Sequence, residues 1–340
     1  MVQNHADARG AEISTVLVTG GAGYIGSHVV KELVRQGHRP IIYDNLQTGH
    51  RETANDALLI EADLADSERL RQTFRSFPIQ SVMHFAADCL VGESVKDPLK
   101  YFKNNVKNSI QLLEAMEEYG VTKIVFSSSA AVYGEPEHIP ISEEHPCVPT
   151  NPYGETKWIF ERVLEAFSRA GKTHFVALRY FNAAGADVSG NLGEDHAQET
   201  HLIPIGLLAA LNGKPIYVFG TDYDTPDGTC IRDYIHVTDL AQAHILALEK
   251  MEASGVSGIY NLGNGNGYSV KEVIEAIRKV TGRTISTIES SRRPGDPARL
   301  VAGSDKIRKE LDWNPQYPDL ETIIETAWRW HQGHPTGYKD

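Results

Sequence analysis

The stretch that most restricts the fold lies near the N-terminus. Thr15-Val-Leu-Val-Thr19 is a short apolar run that predicts a buried strand, and Gly20-Gly-Ala-Gly23-Tyr-Ile-Gly26 follows at once. Ile25, Val29, Val30, Leu33 and Val34 then recur at helical spacing, and Gly37 closes the helix. Pro40-Ile-Ile-Tyr43 predicts a second strand, ending in Asp44, eighteen residues after Gly26. A glycine cluster alone is often a plain turn. Strand, helix and acid in this order make a βαβ unit that suits a dinucleotide. Gly20 permits the tight turn, Gly23 lets the backbone approach a pyrophosphate, and Gly26 lets helix pack closely on strand. The helix start, at Tyr24 and Ile25, offers free N–H donors and a partial positive charge to phosphates. Asp44 can accept hydrogen bonds from the adenosine ribose hydroxyls and repels a 2′-phosphate, which favours NAD over NADP.

The alternation continues. Strands are predicted at 57–60, 81–85, 123–126 and 175–178, with helices over 67–77 and 98–119 between them. The strand at 123–126 delivers Ser127-Ser128-Ser129 at its C-terminal end, where parallel sheets place ligands. A serine run at a strand end is also ordinary turn chemistry. The fold class expected is α/β: a doubly wound parallel-sheet Rossmann domain over residues 15–180, with a second, smaller α/β substrate domain over 181–231 and 263–340. Residues 232–262 carry strand and helix character, which predicts a return to the first domain. Residues 183–200 are rich in Gly, Asp, Glu and His, with little apolar pattern, and read as a substrate-side loop.

Composition excludes several roles. The chain has 340 residues and a net charge of −12, from 33 basic and 45 acidic groups, without a Lys/Arg-rich run. A nucleic-acid or anionic-membrane surface is therefore not expected. A small polyanionic substrate remains compatible, because a few arginines can hold it locally. Cys89, Cys147 and Cys230 are odd in number and widely spaced, which points to buried thiols in a reducing compartment. The fourteen histidines form no H-E-x-x-H or similar pattern, so no metal is expected. Residues 1–14 read as a flexible polar tail, and no apolar run is long enough to span a membrane. A soluble, cytoplasmic protein is expected.

The chemistry centres on Asn151-Pro-Tyr-Gly-Glu-Thr-Lys157. Asn151 can cap a helix and Pro152 suits its first position. Tyr153 and Lys157, four apart, then share one face. A phenol titrates near ~10 in water, and a neighbouring cation favours the phenolate. A shift of about three units would make Tyr153 a working general base. Such pairs also arise by chance on exposed helix faces, so the surroundings must decide.

These surroundings resemble the extended short-chain dehydrogenase/reductase family. The matching motifs are Thr19-Gly-Gly-Ala-Gly-Tyr-Ile-Gly-Ser-His28, Asp44-Asn45-Leu46, His84-Phe-Ala-Ala87, Val91-Gly-Glu-Ser94, Asn104-Asn105, Phe126-Ser-Ser-Ser129 and Pro152-Tyr153-Gly-x-x-Lys157. Leu178-Arg-Tyr-Phe-Asn182, Gly193-Glu194-Asp195, Arg232-Asp-Tyr-Ile-His236, Tyr260-Asn-Leu-Gly263 and Arg292-Arg-Pro-Gly-Asp296 continue them. Within that family the chain is similar to the UDP-hexose 4-epimerase branch. The resemblance implies C4 inversion of a UDP-sugar through a transient 4-keto sugar, with hydride returned to the opposite face and NAD kept bound. Tyr153, Lys157 and Ser129 are then catalytic. Implied cofactor contacts are Gly20, Gly23, Tyr24, Ile25, Gly26, Asp44, Asn45, Asp63, Leu64, Phe85, Ala86, Asn104, Tyr153, Lys157 and Tyr180. Implied substrate contacts are Ser129, Phe181, Asn182, His201, Leu202, Tyr217, Phe219, Arg232, Arg293, Asp296 and Leu300, although the charged members also suit surface ion pairs.

Ala130-Ala131-Val132 after Ser129 lacks the acid or base that dehydrating and decarboxylating relatives carry, which argues for simple epimerisation. Cys89, Thr200-His201 and Leu300 depart from the best-known members, which have Lys, an Asn pair and a bulky Tyr there. A smaller residue at 300 leaves room for an N-acetyl group at C2, or merely repacks a loop. Epimerisation of a UDP-pentose or UDP-uronate is the enzyme alternative; a non-catalytic NAD sensor would be expected to lose Tyr153 or Lys157. The resemblance also implies a homodimer packed through helices around 98–119 and 153–170.

Overall fold

The computed structural model describes residues 13–54, 57–293 and 295–339, so most of the expected tail lies outside the described residues. Ser14 already belongs to the fold: it is buried, and its N–H donates to His38 Nδ1. In chain order the strands are β1 (Thr15–Thr19), β2 (Arg39–Asp44), β3 (Leu58–Glu61), β4 (Ser81–His84), β5 (Lys123–Ser129), β6 (His174–Tyr180), β7 (Asn182–Ala184), β8 (Ile216–Phe219), β9 (Ile231–His236), β10 (Gly258–Leu262), β11 (Gly267–Ser269), β12 (Thr287–Ser290) and β13 (Arg299–Leu300). The helices are α1 (Tyr24–Arg35), α2 (Ser67–Ser76), α3 (Val91–Lys96), α4 (Pro98–Tyr101), α5 (Asn108–Glu118), α6 (Pro152–Arg169), α7 (Leu202–Asn212), α8 (Val237–Ser254), α9 (Val270–Thr281), α10 (Asp305–Leu311) and α11 (Leu320–Gly333).

Seven strands form one parallel sheet in the order β10-β6-β5-β4-β1-β2-β3. The chain starts in the middle, winds outward through β2 and β3, then restarts on the other side of β1 with β4. That reversal opens a crevice at the carboxyl ends of β1 and β4, where this architecture binds ligands. Successive strand residues point to opposite faces, so β1 serves two cores. Val16 and Val18 pack with Val29, Val30 and Leu33 of α1 and with Leu240, Ala243 and Leu248 of α8. Leu17 faces the other way, with Leu70 and Phe74 of α2, Leu112 and Met116 of α5, and Phe160 and Leu164 of α6.

Beyond β6 the chain builds smaller units. β11, β9 and β13 form a sheet to which β7 adds through β9, and β8 pairs with β12. A third core holds Ile203 and Leu207 of α7, Val273 and Ile277 of α9, and Ile323 and Ile324 of α11. Residues 232–262 divide between the two regions. α8 packs on α1 and β10 extends the large sheet beside β6, whereas β9 belongs to the small sheet. The helix expected over 98–119 is interrupted, with a π-helical stretch at Phe102–Lys107 between α4 and α5. Among the described residues no helix is long and apolar enough to cross a membrane.

Candidate functional site

The glycine turn needs its glycines for steric reasons. Gly20 adopts φ +72°, and a Cβ there would stand 2.5 Å from the Ala86 nitrogen. A Cβ on Gly26 would stand 2.2 Å from the Gly20 carbonyl oxygen. The turn is thus packed against the end of β4, and α1 starts at Gly23 without a side-chain cap. An uncapped helix start beside backbone this bare leaves N–H groups open to an anion. Asp44, at the end of β2, accepts N–H bonds from Ala22 and Leu46, both at 2.9 Å. Burial raises its pKa, and those two bonds oppose the rise.

A cleft of about 440 Å³ runs along these carboxyl ends. Gly20, Gly23, Tyr24, Ile25, Gly26, Asp44, Asn45, Asp63, Leu64, Phe85, Ala86, Asn104 and Tyr180 all line it, as do Ser129, Tyr153 and Lys157. Of the expected substrate residues, Phe181, Asn182, His201, Asp296 and Leu300 line it too. Leu202, Tyr217, Phe219, Arg232 and Arg293 stand outside the lining. Leu202 packs against the third core. Arg232 forms an ion pair with Asp296, and the Arg293 guanidinium lies 4.0 Å from the centre of the Phe219 ring. The two arginines therefore point their charge at protein partners in this structure.

Helix α6 begins as its sequence dictates. Asn151 Oδ1 accepts the Gly154 N–H at 2.9 Å, and Pro152 takes the first turn. This sets Tyr153 and Lys157 against the end of β5. The Lys157 ammonium donates to the Ser127 carbonyl at 2.7 Å and sits 5.8 Å from the Tyr153 ring centre. The Ser129 hydroxyl accepts the Ala131 N–H at 3.1 Å and lies near enough to the Tyr153 phenol to oppose the rise of its pKa. Asn105, in the π-helical stretch, reaches Asp88 and the Thr156 hydroxyl.

The electrostatics correct one expectation. Burial pushes the Tyr153 phenol well above its ordinary pKa, Cys89 beside it adds to the rise, and Ser129 only opposes it. Lys157 lies over the ring rather than at the hydroxyl, and burial lowers its own pKa to about 8. Neither the lysine nor the serine offsets the effect of burial on the phenol. A further positive charge close to the hydroxyl is needed to ionise it.

Two features escaped the sequence analysis. Glu161 is buried beneath the site, bonded to Ser128 and bidentately to Arg179, which also donates to Tyr133 Oη at 2.9 Å. Its signal was present, since Tyr153, Lys157 and Glu161 recur every four residues on one helix face. His196 also lines the cleft beside His201, both against Glu194. Burial works against protonation of His201, but Glu194 outweighs it and lifts the imidazole to about 9.

Known proteins share the sequence and the fold over nearly the whole chain. The chain is 54% identical to a UDP-glucose 4-epimerase of Halalkalibacterium halodurans over 324 residues, 95% of this chain and 97% of the relative. The crystal structure of a Brucella ovis UDP-glucose 4-epimerase in complex with NAD superposes with a TM-score of 0.90 at 47% identity, covering 93% of this chain and 97% of that one. A UDP-Glc/GlcNAc 4-epimerase of Campylobacter jejuni superposes at 0.82 with 40% identity, covering 94% and 99%. The description "NAD dependent epimerase/dehydratase family" matches residues 16–263. With fold, cleft and relatives in agreement over nearly the whole length, the chain belongs to the NAD dependent epimerase/dehydratase family.

Proposed function

We propose that this protein is an NAD-dependent UDP-hexose 4-epimerase that interconverts UDP-glucose and UDP-galactose. One observation carries the reading: a single cleft joins the glycine turn and Asp44 to Ser129, Tyr153 and Lys157, while Ala130-Ala131-Val132 beside Ser129 offers no second acid or base. Bound NAD supplies the hydride acceptor for C4 and, when oxidised, a positive charge. The fit is supported by the bare glycine cradle, the uncapped start of α1 and the carboxylate at Asp44.

The chain's own residues then handle the proton. Tyr153 takes it from the 4-hydroxyl and returns it after the keto sugar has turned over, with Ser129 bridging phenol and sugar oxygen. Lys157, held by the Ser127 carbonyl, keeps a cation over the phenol ring and favours the phenolate. Ala130 and Ala131 leave the C5 proton untouched, so epimerisation is not diverted to elimination.

The nucleotide is assigned to Asn182, His201, Arg232, Arg293 and Asp296, with Phe181, Leu202, Tyr217, Phe219 and Leu300 shaping the pocket. Arginines suit a diphosphate, and Arg232 would exchange its Asp296 partner for it. Leu300 lines the cleft with a side chain shorter than tyrosine, which favours a second substrate class, the N-acetylated UDP-hexosamines. The similarity to an epimerase named for both Glc and GlcNAc forms supports this.

Val95 and Leu99 are 62% and 61% exposed, and Phe102, Val106 and Ile110 border a shallow groove beside them. This face suits a homodimer contact through α4, α5 and α6, which light scattering checks; a monomer at micromolar concentration would remove it. Of the three free cysteines only Cys230 is buried as expected, whereas Cys147 is half-buried and Cys89 exposed; thiols left unpaired suit the cytoplasm. The activity itself is tested by incubating the protein with UDP-galactose and separating the products. UDP-glucose is expected at the equilibrium ratio, and no C4 inversion with any UDP-sugar would contradict the reading.

A further inference from the structure

A second cluster of chemistry lies at the rim of the cleft. Glu194-x-His196-x-x-Glu199-x-His201 has no regular helical spacing, and residues 193–200 are an irregular segment leading into α7. Folding nonetheless gathers one ligand atom from each residue to within 4.8 Å of the others. His196 Nδ1 stands 3.4 Å from Glu194 Oε1 and 3.3 Å from Glu199 Oε2, and His201 Nδ1 stands 3.7 Å from Glu199 Oε1. His201 Nδ1 also contacts Glu194 Oε1 directly. Four ligands at bonds of ~2.0–2.1 Å around a tetrahedral ion lie about 3.3 Å apart. The two His196 edges, to Glu194 Oε1 and Glu199 Oε2, are already near that value, while His201 meets Glu194 more tightly and Glu199 through its other oxygen.

We propose that Glu194, His196, Glu199 and His201 bind one first-row divalent metal ion of the Zn²⁺ type. Two imidazoles and two carboxylates are a borderline donor set that suits Zn²⁺ or Co²⁺ and is poor for Mg²⁺ or Ca²⁺, which take all-oxygen shells. The charges balance as well. Glu194 and Glu199 are only 5% and 10% exposed, and a bound ion would take over from the two imidazoles, on loss of their extra protons, the balancing of that charge.

The surroundings hold the ligands in place. Glu199 Oε1 accepts the N–H groups of Thr200 and His201, at 2.7 and 2.8 Å. Asp195 is turned away, toward His50 and the Tyr338 N–H. Gly193 lies flat on Trp330, where a Cβ would approach to 2.2 Å, and its N–H donates to Tyr338 Oη at 2.9 Å. Such outer contacts orient metal ligands. The ion would tie the loop to the first turn of α7 and so fix the cleft wall at His196 and His201. The assignment shares His201 with the nucleotide contacts proposed above, but does not depend on which sugar is turned over.

The test uses the full-length chain without an affinity tag, treated with chelator, dialysed and titrated with Co²⁺. One equivalent is expected to give the strong visible bands of four-coordinate Co²⁺, to be displaced by Zn²⁺, and Zn²⁺ is expected to raise the unfolding temperature without added nucleotide sugar. His196→Gln and Glu199→Gln should each weaken Co²⁺ binding at least about tenfold. Failure of the unaltered chain to develop four-coordinate bands overturns the proposal, and means that imidazolium protons neutralise the carboxylates instead. Equal binding by the folded variants overturns it too, because the ion then sits elsewhere.

Discussion

Tyr153 is held by its neighbours in a state unsuited to work alone. Burial raises its pKa, and Lys157 faces its ring. Removing the hydroxyl costs little packing but deletes the proton acceptor. Tyr153→Phe should therefore keep its cofactor while losing about 10²–10⁴ in kcat, the usual range for general acid–base catalysis. Cofactor content measured by absorbance beside a coupled assay checks both halves, and near-full turnover would remove Tyr153 from the chemistry. Leu300 acts by volume. Leu300→Tyr should lower kcat/KM for UDP-N-acetylgalactosamine about tenfold or more relative to UDP-galactose, since filling a pocket discriminates by ~1–3 kcal/mol. An unchanged ratio would show that Leu300 only packs its loop. At this scale the sequence was informative about placement: Tyr153, Lys157 and Asp44 all line the cleft, as expected. It was silent where solvation decides: nothing in Tyr-x-x-x-Lys says that the ammonium bonds to the Ser127 carbonyl instead of the phenol.

Elements whose local signals agree were legible to within a residue or two. The β1-turn-α1 unit is one, because strand, glycines and apolar stripe all demand the same geometry. Helix α6 is another, with cap, proline and periodicity in register. A methyl group at Gly26 must displace the Gly20 carbonyl. Gly26→Ala should accordingly cost on the order of 2 kcal/mol, as overpacking does, and should release the cofactor on gel filtration. A protein that keeps both its stability and its cofactor would contradict the role assigned to the turn. Strands β7, β11, β12 and β13 escaped sequence reading because two to four residues carry no periodicity; their partners define them. The π-helical stretch at Phe102–Lys107 was hidden for a similar reason. It turns Asn105 toward Asp88 and Thr156, tertiary partners that the local pattern does not contain.

The whole molecule buries histidines that serve no part of the proposed chemistry. Burial lowers His28, His244 and His331 to about 4, and His84 and His236 to about 3. The unfolded chain protonates these groups near ~6.5, the folded one does not. As pH falls from about 6.5 towards 4 the unfolded state therefore binds more protons, and stability falls, by about 1.4 kcal/mol per histidine per pH unit. Asp233, raised by burial to about 6, opposes this with one proton. Urea unfolding should show a net loss of roughly 8 kcal/mol between pH 7 and pH 5; a flat profile would mean that the histidines are not neutral in the fold. The large sheet and its two cores could be read from the alternating sequence. The division of residues 232–262 between two sheets could not, because both β9 and β10 are short strands of mixed polar and apolar residues whose sheet is set by the neighbour each meets.

The central claim is that one cleft oxidises C4 and reduces it again without releasing either the hydride or the keto sugar. UDP-galactose carrying deuterium at C4 tests it most directly, with the UDP-glucose product analysed by mass and proton resonance. The account predicts that the label remains at C4 of the inverted sugar, undiluted by solvent protons or by added NADH. Loss of the label to the medium during inversion would contradict it.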